Sequence, residues 1–434
     1  MSRINVENIR HPDAASDSLQ LSDTGNITAP GNLSVTGTST LTGNVTASGN
    51  LSVTGTSTLT GNTVVTGSLT ANGLAYPTAG PLSNRNLIIN GAMRVAQRGT
   101  QVTGITNSGY RTVDRFRPSM GTLGTWTIEQ STDAPDGFAH SHKFTCTTAD
   151  ASPAAGDDIE MEYRVEAQDL QHLNYGSASA QAMTLSFWVK SNKTGTATVN
   201  ILQPDNSNKS LSPTYTISSA DTWEHKTISI PGDTAGVINN DNGNGLWFLW
   251  WLNSGSNFNS GTNRTTWTTL NSADRNASNL GVGGAVDDYW QITGVQLEVG
   301  SVATPFEHKS FGDELRRCKR YFERRHVNDN GDTDGVFGYS NSLSTTSSNF
   351  ILQFEVEKRA NASVSLDLDG GTLFQRTSTG NSVTTTQSIT VSSANTKYTR
   401  ITLAGSSFTS GGIGQVRVGQ SGSGNAFFDF DAEL

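Results

Sequence analysis

Residues 184–202 have the sequence TLSFWVKSNKTGTATVNIL, in which apolar side chains recur at every second position on either side of a central NKTG. The residues that share a face are Leu185, Phe187 and Val189 before this break, and Ala197, Val199 and Ile201 after it. A period of two residues is typical of a β-strand that is buried on one side. The stretch therefore predicts two strands of a sheet that covers a hydrophobic core.

Three further stretches have the character of strands: 225–232 (HKTISIPG), 246–252 (LWFLWWL) and 289–300 (YWQITGVQLEVG). Turn-forming clusters such as NNDNGNG at 239–245 separate them, and all eight tryptophans of the chain lie in the same region. Several short strands separated by turns indicate an antiparallel β-sandwich or jelly roll, which we assign to residues 85–308.

Alternation within LWFLWWL sends Trp247, Leu249 and Trp251 to one face of the strand. The other face receives Leu246, Phe248, Trp250 and Leu252. Both faces are too apolar to be solvated, so we expect one to point into the core and the other to be covered.

The composition of the whole chain excludes several classes of protein. Of its 434 residues only 34% are hydrophobic and 15% are charged, and glycine alone contributes 45. This argues against a helical bundle and against a doubly wound α/β enzyme. The net charge of −9 opposes nucleic-acid binding, and no apolar run approaches the ~20 residues of a membrane span. Two cysteines are too few for a disulfide framework, and the amino terminus lacks the apolar core of a signal peptide, so we expect synthesis in a cytoplasm.

Residues 24–84 contain no charged residue and have a strict internal period. Glycine occupies every sixth position from Gly25 to Gly73, and GNLSVTGTSTLTGN occurs twice, beginning at Gly31 and at Gly49. Each hexad predicts a very short strand followed by a turn, too small to bury a core within one chain. We expect neighbouring chains to supply the missing contacts in a trimeric β-stalk. The alternative is a flexible linker, which has no reason to keep the glycines in register.

Residues 1–23 carry mixed charges and small apolar groupings. Ile4 and Val6 alternate with polar neighbours, as a strand added to another protein would require, and Ile9 follows them. The segment is either a docking peptide that orders on binding or a disordered terminus.

The sequence SFGDELRRCKRYFERR predicts a helix, which we assign to a connecting segment at 309–326. Ser310 and Asp313 have the spacing of an N-terminal cap. Phe311, Leu315, Cys318 and Phe322 form one apolar stripe, which packs on the chain's own sandwich or forms a coiled-coil neck. Residues 327–434, with alternating stretches such as FILQFEVE and VSLDLD, predict a second β-sandwich that forms the tip.

Several blocks of this chain, in this order, are similar to tail fibre proteins of tailed bacteriophages. They are RNLIINGAMRVAQRGT at 85–100, TGVQLEVG at 293–300, TPFE at 304–307, RRCKRYFE at 316–323 and FDFDAEL at 428–434. The resemblance implies a homotrimer within the virion. It also implies that the amino terminus docks to adaptor, nozzle or baseplate proteins of the tail and that the carboxyl-terminal part faces the host. Residues 85–308 also resemble carbohydrate-binding jelly rolls, which implies recognition of host-surface polysaccharide.

Paired carboxylates and histidines are weak signs of chemistry in this sequence. Glu160 and Glu162 are expected on one strand face, which any half-exposed strand produces, and Asp157/Asp158 and Asp287/Asp288 are only adjacent in sequence. His140 and His142 lie two residues apart near Asp136, without a third metal ligand fixed by spacing. The stretch NDNGDTDG at 328–335 lacks the glutamate that closes an EF-hand loop. We predict neither catalysis nor a cofactor, and no ion site is assigned.

Aromatic residues are the stronger sign, because sugars stack on aromatic rings in concave sites. Trp126, Trp223 and Trp267 are flanked by polar residues and are expected at strand ends or in loops. Of these, Trp223 and Trp267 are the predicted glycan contacts. Loops at 405–414 and 419–425 in the tip domain are further candidates for facing the receptor.

The sequence therefore predicts an all-β, non-enzymatic, trimeric fibre that binds a host glycan and does not insert into a membrane. Two alternatives remain open. One is a depolymerase spike, which requires a groove with two suitably spaced carboxylates. The other is a structural whisker or head fibre without a ligand.

Overall fold

The computed structural model describes residues 83–434 except 206–207, 327–333, 368–371, 378–382, 406–407, 409 and 420–425. Before residue 83 it describes only 8–9, 19–21, 27–28, 46, 52–54, 70–71 and 74–75. The chain divides into two compact units, Met1–Val64 and Val65–Leu434. No helix in the described part of the chain is long and apolar enough to cross a membrane.

Five very short strands belong to the amino-terminal part of the chain: β1 (Asn8–Ile9), β2 (Leu19–Leu21), β3 (Ile27–Thr28), β4 (Thr70–Ala71) and β5 (Leu74–Ala75). β1 pairs with β2 and β2 with β3, all antiparallel, and β4 pairs with β5 in the second unit. The predicted docking residue Ile9 thus lies opposite Leu19 in a small hairpin, whereas Ile4 and Val6 are outside the described residues. Most of the hexad repeat also lies outside them, so the trimeric stalk stays a prediction.

Twelve strands build the domain that follows. They are β6 (Gln101–Asn107), β7 (Arg117–Ser131), β8 (Ser141–Thr148), β9 (Asp158–Glu166), β10 (Met183–Ser191), β11 (Gly195–Gln203), β12 (Lys209–Leu211), β13 (Thr214–Ile217), β14 (Glu224–Ile230), β15 (Asn244–Ser254), β16 (Thr268–Thr269) and β17 (Tyr289–Val299). Their hydrogen-bonded order is β14-β10-β17-β8-β7-β9-β15-β11-β12-β16, with β13 beside β11 and β6 beside β7. Short helical segments interrupt them: two 3-10 helices at Ala167–Leu173 and Ser272–Asp274, and α1 at Ser256–Asn259.

The sheet with this continuous strand order folds into two layers, because β7 pairs with a strand of each layer. Its residues 125–131 pair with β8, and its residues 117–122 pair with β9. Thr122 and Gly124, at the change, have φ of 57° and 68°, which bends the strand between the layers. We call the layer with β14, β10, β17 and β8 the first sheet, and the layer with β9, β15 and β11 the second sheet.

The core lies between the two sheets, as the alternation in the sequence predicts. Leu185, Phe187 and Val189 of β10 are buried in one cluster with Ala197, Val199 and Ile201 of β11. Phe187 meets Trp250 of the opposite sheet edge-on, with ring centroids 6.0 Å apart. The all-β fold class and the sandwich arrangement are therefore confirmed.

Strand β15 also confirms the predicted distribution of its residues. Leu246, Phe248, Trp250 and Leu252 join the main core, whereas Leu249 and Trp251 join a separate buried cluster on the other face.

The position of Trp126 differs from the expectation, because this residue is fully buried within β7 and not at a strand end. Its indole N–H donates to the Leu123 carbonyl at 2.7 Å, which satisfies the buried nitrogen.

The predicted connecting helix is shorter than expected. Helix α2 spans Phe311–Lys319, and the Ser310 hydroxyl accepts from the Asp313 N–H at 3.2 Å, as the capping pattern predicted. Cys318 is buried with Ile89 and Val95, so the helix packs on its own domain. The part of 309–326 from Phe322 onward is not helical but forms a strand, because it pairs with the carboxyl terminus of the chain.

The carboxyl-terminal part contains two β-structures. Its strands are β18 (Phe322–His326), β19 (Asp334–Ser342), β20 (Ser347–Gln353), β21 (Ser363–Asp367), β22 (Thr372–Thr377), β23 (Val383–Ala394), β24 (Tyr398–Gly405), β25 (Ile413–Gly419) and β26 (Phe427–Asp431). The expected second sandwich is instead a closed barrel, β19-β20-β24-β23-β22-β25, beside a three-stranded sheet, β18-β26-β21. Phe350, Phe428 and Phe430 are buried in their shared core.

Buried ion pairs join this three-stranded sheet to the sandwich. Glu166 at the end of β9 accepts from Arg320 at 2.6 Å and from the Tyr321 hydroxyl at 2.8 Å. Arg115 pairs with Glu433, and the Arg115 guanidinium lies 3.5 Å from the centre of the Tyr321 ring. The motif RRCKRYFE and the closing FDFDAEL therefore act as the joint between the two parts of the chain.

Candidate functional site

The outward face of the first sheet carries a tryptophan that is not part of the core. Because Phe187 and Val189 point inward, Trp188 and Lys190 of β10 point outward, and both remain partly exposed. Trp188 pairs across the sheet with His225 of β14, and their ring centroids are 5.2 Å apart. This pair forms one wall of an open groove of about 690 Å³.

The opposite wall is a second group of aromatic rings. Phe138 and Phe306 have ring centroids 5.1 Å apart, and His308 lies 5.2 Å from Phe138 and 4.8 Å from Phe306. We call the site formed by Phe138, Trp188, His225, Phe306 and His308 the aromatic groove. All five side chains are partly or fully exposed, in contrast to the fully buried rings of the core.

Gly294 of β17 forms the floor between the two walls. A methyl group at this position would lie 2.7 Å from the Phe138 ring and 3.0 Å from the Trp188 ring, closer than real contacts allow. The residue also has φ of 62° and lies where the pairing of β10 with β17 shifts register. Glycine is required here because it permits both the bulge and the close approach of the two rings.

Polar residues on the outward face of β17 hold the segment that carries Phe306 and His308. Glu298 accepts from the Thr304 N–H at 2.8 Å and from its hydroxyl at 2.6 Å. Gln296 accepts from the Glu307 N–H at 2.8 Å. The alternation of TGVQLEVG thus directs Val295 and Leu297 to the core and directs the polar side chains to TPFE, so that these two blocks shape the groove.

The block RNLIINGAM supports the same segment from behind. Arg85 donates to the Thr304 hydroxyl at 2.8 Å, and the Asn86 N–H donates to Glu307 at 3.0 Å. Gly91 packs so closely that a side chain would meet the Val295 carbonyl oxygen at 2.1 Å. The three sequence blocks are therefore structural supports of the groove wall.

The predicted contact Trp223 lies on the same sheet face as the groove. It directly precedes β14, two residues before His225, and its indole N–H donates to Asp133 at 3.1 Å. Asp133 also accepts from Lys190 at 2.8 Å and from Gln291 at 2.7 Å. Burial raises the pKa of Asp133, but these three hydrogen bonds outweigh it and hold the pKa below its usual range. The carboxylate therefore anchors Trp223 to the sheet.

The other predicted contact, Trp267, lies elsewhere. Its indole N–H donates to the Pro231 carbonyl at 2.7 Å, and its ring meets Tyr175 edge-on at 6.1 Å. Pro231 follows β14 whereas Trp223 precedes it, so the two tryptophans lie at opposite ends of a seven-residue strand, roughly 25 Å apart. The structure does not bring them into one site.

The aromatic groove has little charge. Asp136 is the charged side chain among its lining residues, and Ser186 and Thr304 add hydroxyl groups. Burial, with a smaller effect of Lys226, lowers the pKa of His225, and burial, with Arg94, lowers that of His308. Both imidazoles are therefore neutral at pH 7 and act as additional flat, weakly polar surfaces.

The predicted pair Glu160 and Glu162 does share one face of β9, with Ile159 and Met161 in the core. Both carboxylates are almost completely buried, and Glu162 accepts from Arg117 at 2.6 Å and from Arg164 at 3.2 Å. Burial, followed by the charge of Asp158, raises the pKa of Glu160 well above its usual range. The pair belongs to the covered outer face of the second sheet and not to an open groove.

The remaining predicted sites are structural or outside the described residues. Asp157 and Asp288 accept backbone N–H groups in turns. His142 is fully buried, and burial lowers its pKa to about 3, so it is a neutral core residue. No group of three metal-binding side chains occurs among the residues that the structure describes. Residues 328–333 and 420–425 are outside them, and the loop at 405–414 buries Phe408 while Ile413 is exposed.

Trp188, Phe138 and Phe306 were not predicted as contacts. For Trp188 the signal was present, since the phase that sends Phe187 and Val189 inward sends Trp188 outward. Phe138 and Phe306 come from irregular segments, where no period shows which way a side chain points.

No protein-family model matches the chain, and none of the curated proteins matches it. Among solved structures, the enzymatically active domain of tailspike protein 4 of bacteriophage CBA120 aligns with 49% of this chain and 21% of its own, at 11% identity and a TM-score of 0.27. A family 11 carbohydrate-binding module from Clostridium thermocellum, in complex with a mixed-linked tetrasaccharide, aligns with 48% of this chain and 98% of its own, at 10% identity and a TM-score of 0.24. A tandem CBM22 domain from Paenibacillus barcinonensis Xyn10C aligns with 78% and 98%, at 9% identity and a TM-score of 0.23. With scores this low, function is inferred from the residues of the site.

Proposed function

We propose that this protein binds a saccharide in the aromatic groove. The observation that carries the proposal is the arrangement of Trp188 and His225 opposite Phe138, Phe306 and His308 around a glycine floor, open to solvent. The apolar faces of a sugar ring pack on aromatic rings, and the hydroxyls at its edge bind polar groups. Asp136 and the imidazoles of His225 and His308, all exposed, supply such polar groups among the lining residues.

We propose further that this binding serves the attachment of a tailed bacteriophage, with the chain as a tail fibre of the virion. The support is the sequence resemblance together with the charge-free hexad repeat of residues 24–84. In this proposal three chains form the stalk, residues near Met1 bind proteins of the tail, and the groove recognises host-surface polysaccharide. Three copies of a weak site on one fibre bind a repetitive surface with greater total affinity than one copy does.

The experiment for the saccharide site uses the full chain and an array of oligosaccharides from bacterial surface polysaccharides. We expect binding to a subset of them, and for Trp188→Ala a decrease in affinity of about tenfold or more, since a stacked ring contributes roughly 1–3 kcal/mol. Tyr339→Ala is the matched control, because Tyr339 is 68% exposed in the barrel.

Loss of binding in Tyr339→Ala with full binding in Trp188→Ala would overturn the proposal and move the receptor site to the barrel. A depolymerase would shorten the array saccharides, whereas a protein that only binds them would leave their length unchanged. The stalk is tested separately by light scattering, in which a trimer has three times the 46.1 kDa of one chain. A monomer would leave the sugar site intact but would exclude the trimeric stalk.

A further inference from the structure

Two lysines next to residues of the aromatic groove, Lys190 and Lys309, are each bound to a carboxylate of the same chain. Lys190, which points outward from β10 two residues after Trp188, donates to Asp133 at 2.8 Å, whereas Lys226 and Glu224, 2.6 Å apart, share the inward phase of Ile228 and Ile230 in β14. Lys309, next to His308, pairs with Glu307 at 3.3 Å, and Lys143 of β8, the strand beside β17, pairs with Glu129 at 3.6 Å. Arg94 donates to the Lys309 carbonyl and lies over the Phe311 ring.

A negatively charged ligand would thus find no cationic side chain among the described residues that line the groove, and Arg94, which lies near His308, is outside this lining. Asp136 is the charged residue among the described residues that line it, and it would repel an anion. The neutral imidazoles of His225 and His308 do not offset this repulsion. Moving a carboxylate from water onto aromatic rings without a partner is unfavourable, whereas uncharged hydroxyls need only single hydrogen bonds.

The second observation is that the aromatic surface continues beyond the groove. Trp223 and His225 are two residues apart and therefore about 7 Å apart along the same face. Asp133 holds the Trp223 indole by its N–H and is itself held by Lys190 and Gln291, so the ring has a fixed position before any ligand binds. A rigid ring at this distance provides a second stacking surface at little further cost in conformational entropy.

We infer that the aromatic groove selects uncharged saccharides and that the bound chain extends along β10 so that a second sugar unit stacks on Trp223. This inference rests on the proposed function and specifies the class of ligand. In this inference Asp133 is a positioning residue. It holds the Trp223 ring in place and affects the ligand through that ring.

The charge selection is tested with the full chain on matched pairs of oligosaccharides, each acidic member carrying a uronic acid that is reduced to the neutral hexose in its partner. We expect the neutral members to bind at least about tenfold more tightly, and their affinity to change less than about twofold between low and high salt. Asp136→Asn should improve binding of the acidic members by about two- to fivefold and so narrow the difference between the two members of each pair.

Tighter binding of the acidic members that decreases with salt would overturn the inference and leave the saccharide site itself intact. Absence of binding to either member by wild-type protein would overturn the proposed function together with it. The two failures are therefore distinguishable.

The extension is tested by titrating a length series of the best neutral ligand. We expect Trp223→Ala to weaken the longer oligosaccharides by about five- to tenfold and the shortest fragment by less than about twofold, whereas Trp188→Ala weakens all of them. Asp133→Asn, which leaves the Trp223 ring in place but removes the charge that holds it, should have a smaller effect in the same direction. An equal loss for all lengths in Trp223→Ala, or no loss for any length, would contradict the extension.

Discussion

Both outer faces of the sandwich carry tryptophan, but the neighbouring segments cover these tryptophans to different extents. On the first sheet, Trp188 lies in the aromatic groove, partly exposed above a glycine floor. On the second sheet, Trp251 is completely buried and packs on Phe258, with ring centroids 5.3 Å apart, under the Arg275 guanidinium at 5.0 Å. The same residue type is thus partly exposed at the proposed saccharide site on one face and buried in a packed cluster on the other.

The difference lies in the segments that follow the strands. After β15 the chain returns over its own sheet through α1 and the residues up to 279, and this return covers Leu249 and Trp251. On the first sheet, the segments with Phe138 and Phe306 stand at one side of Trp188 and leave a groove between them. Aromatic content alone therefore does not identify a binding site, since the site depends on what the neighbouring segments leave uncovered.

The largest expected effect is the difference in the free energy of unfolding between Trp251→Ala and Trp188→Ala. Trp251→Ala should lower the free energy of unfolding by about 3–5 kcal/mol, because it empties a buried cluster. Trp188→Ala should lower it by about 1 kcal/mol or less, because the ring is partly exposed. Guanidinium denaturation of both variants measures the difference. Similar losses in the two variants would mean that Trp188 is structural as well.

Lowering the pH should reduce stability through the buried His142 of the first sheet more than through the exposed His225 on its outer face. The folded-state pKa of His142 is about 3, below its ordinary value near 6.5, so its contribution to stability is present above pH 6.5 and is lost as the pH falls. We expect this one residue to account for about 2–3 kcal/mol of the loss between pH 6.5 and 4.5. His142→Gln should flatten the pH dependence over this range. His225→Gln, on the exposed groove wall, is the control and should change it little.

The two carboxylates of the covered face should respond differently to neutralisation. Glu162→Gln leaves Arg117 and Arg164 without their charged partner and should cost about 1–3 kcal/mol at pH 7. Glu160→Gln resembles the protonated form that burial favours and should change stability by about 0.5 kcal/mol or less. Thermal unfolding of both variants tests this order. A larger loss in Glu160→Gln would show that Glu160 is ionised and paired.

At the groove floor, a substitution is expected to change binding more than stability. Gly294→Ala should lower the free energy of unfolding by about 1 kcal/mol, because an alanine would have to adopt the left-handed φ of 62°. It should also push Phe138 and Trp188 apart and abolish saccharide binding, although no polar contact is removed. Gly284→Ala, which faces open space apart from a contact at 3.5 Å, is the control. Unchanged binding in Gly294→Ala would remove the floor from the site.

The sequence predicted which residues of the strands are buried more reliably than it predicted the site. A period of two is a local property, so the faces of β10, β9 and β15 followed from it directly. The threonine neighbours of Trp126 suggest a loop or strand end, but threonine is also favoured in strands, and Trp126 is buried within β7. The second half of the predicted helix became β18 because its partner, β26, lies about one hundred residues away, and no local pattern shows such pairing.

The site was only partly predictable for the same reason. The polar neighbours of Trp223 predict a position outside the core, where the structure places it, and its role as a glycan contact stays a prediction. Phe138, Gly294 and Phe306 come together from three separate segments, and their proximity follows from tertiary packing that the sequence does not display. Two of the blocks that resemble tail fibres, TGVQLEVG and TPFE, form part of the groove wall. The resemblance therefore included residues close to the site.

The most direct test of the central claim is a crystal structure of the chain with the best-binding oligosaccharide from the array. We predict a sugar ring stacked on Trp188 between His225 and Phe306, with the next unit toward Trp223. A ligand bound to the barrel, or beneath Arg275 on the second sheet, would contradict the account.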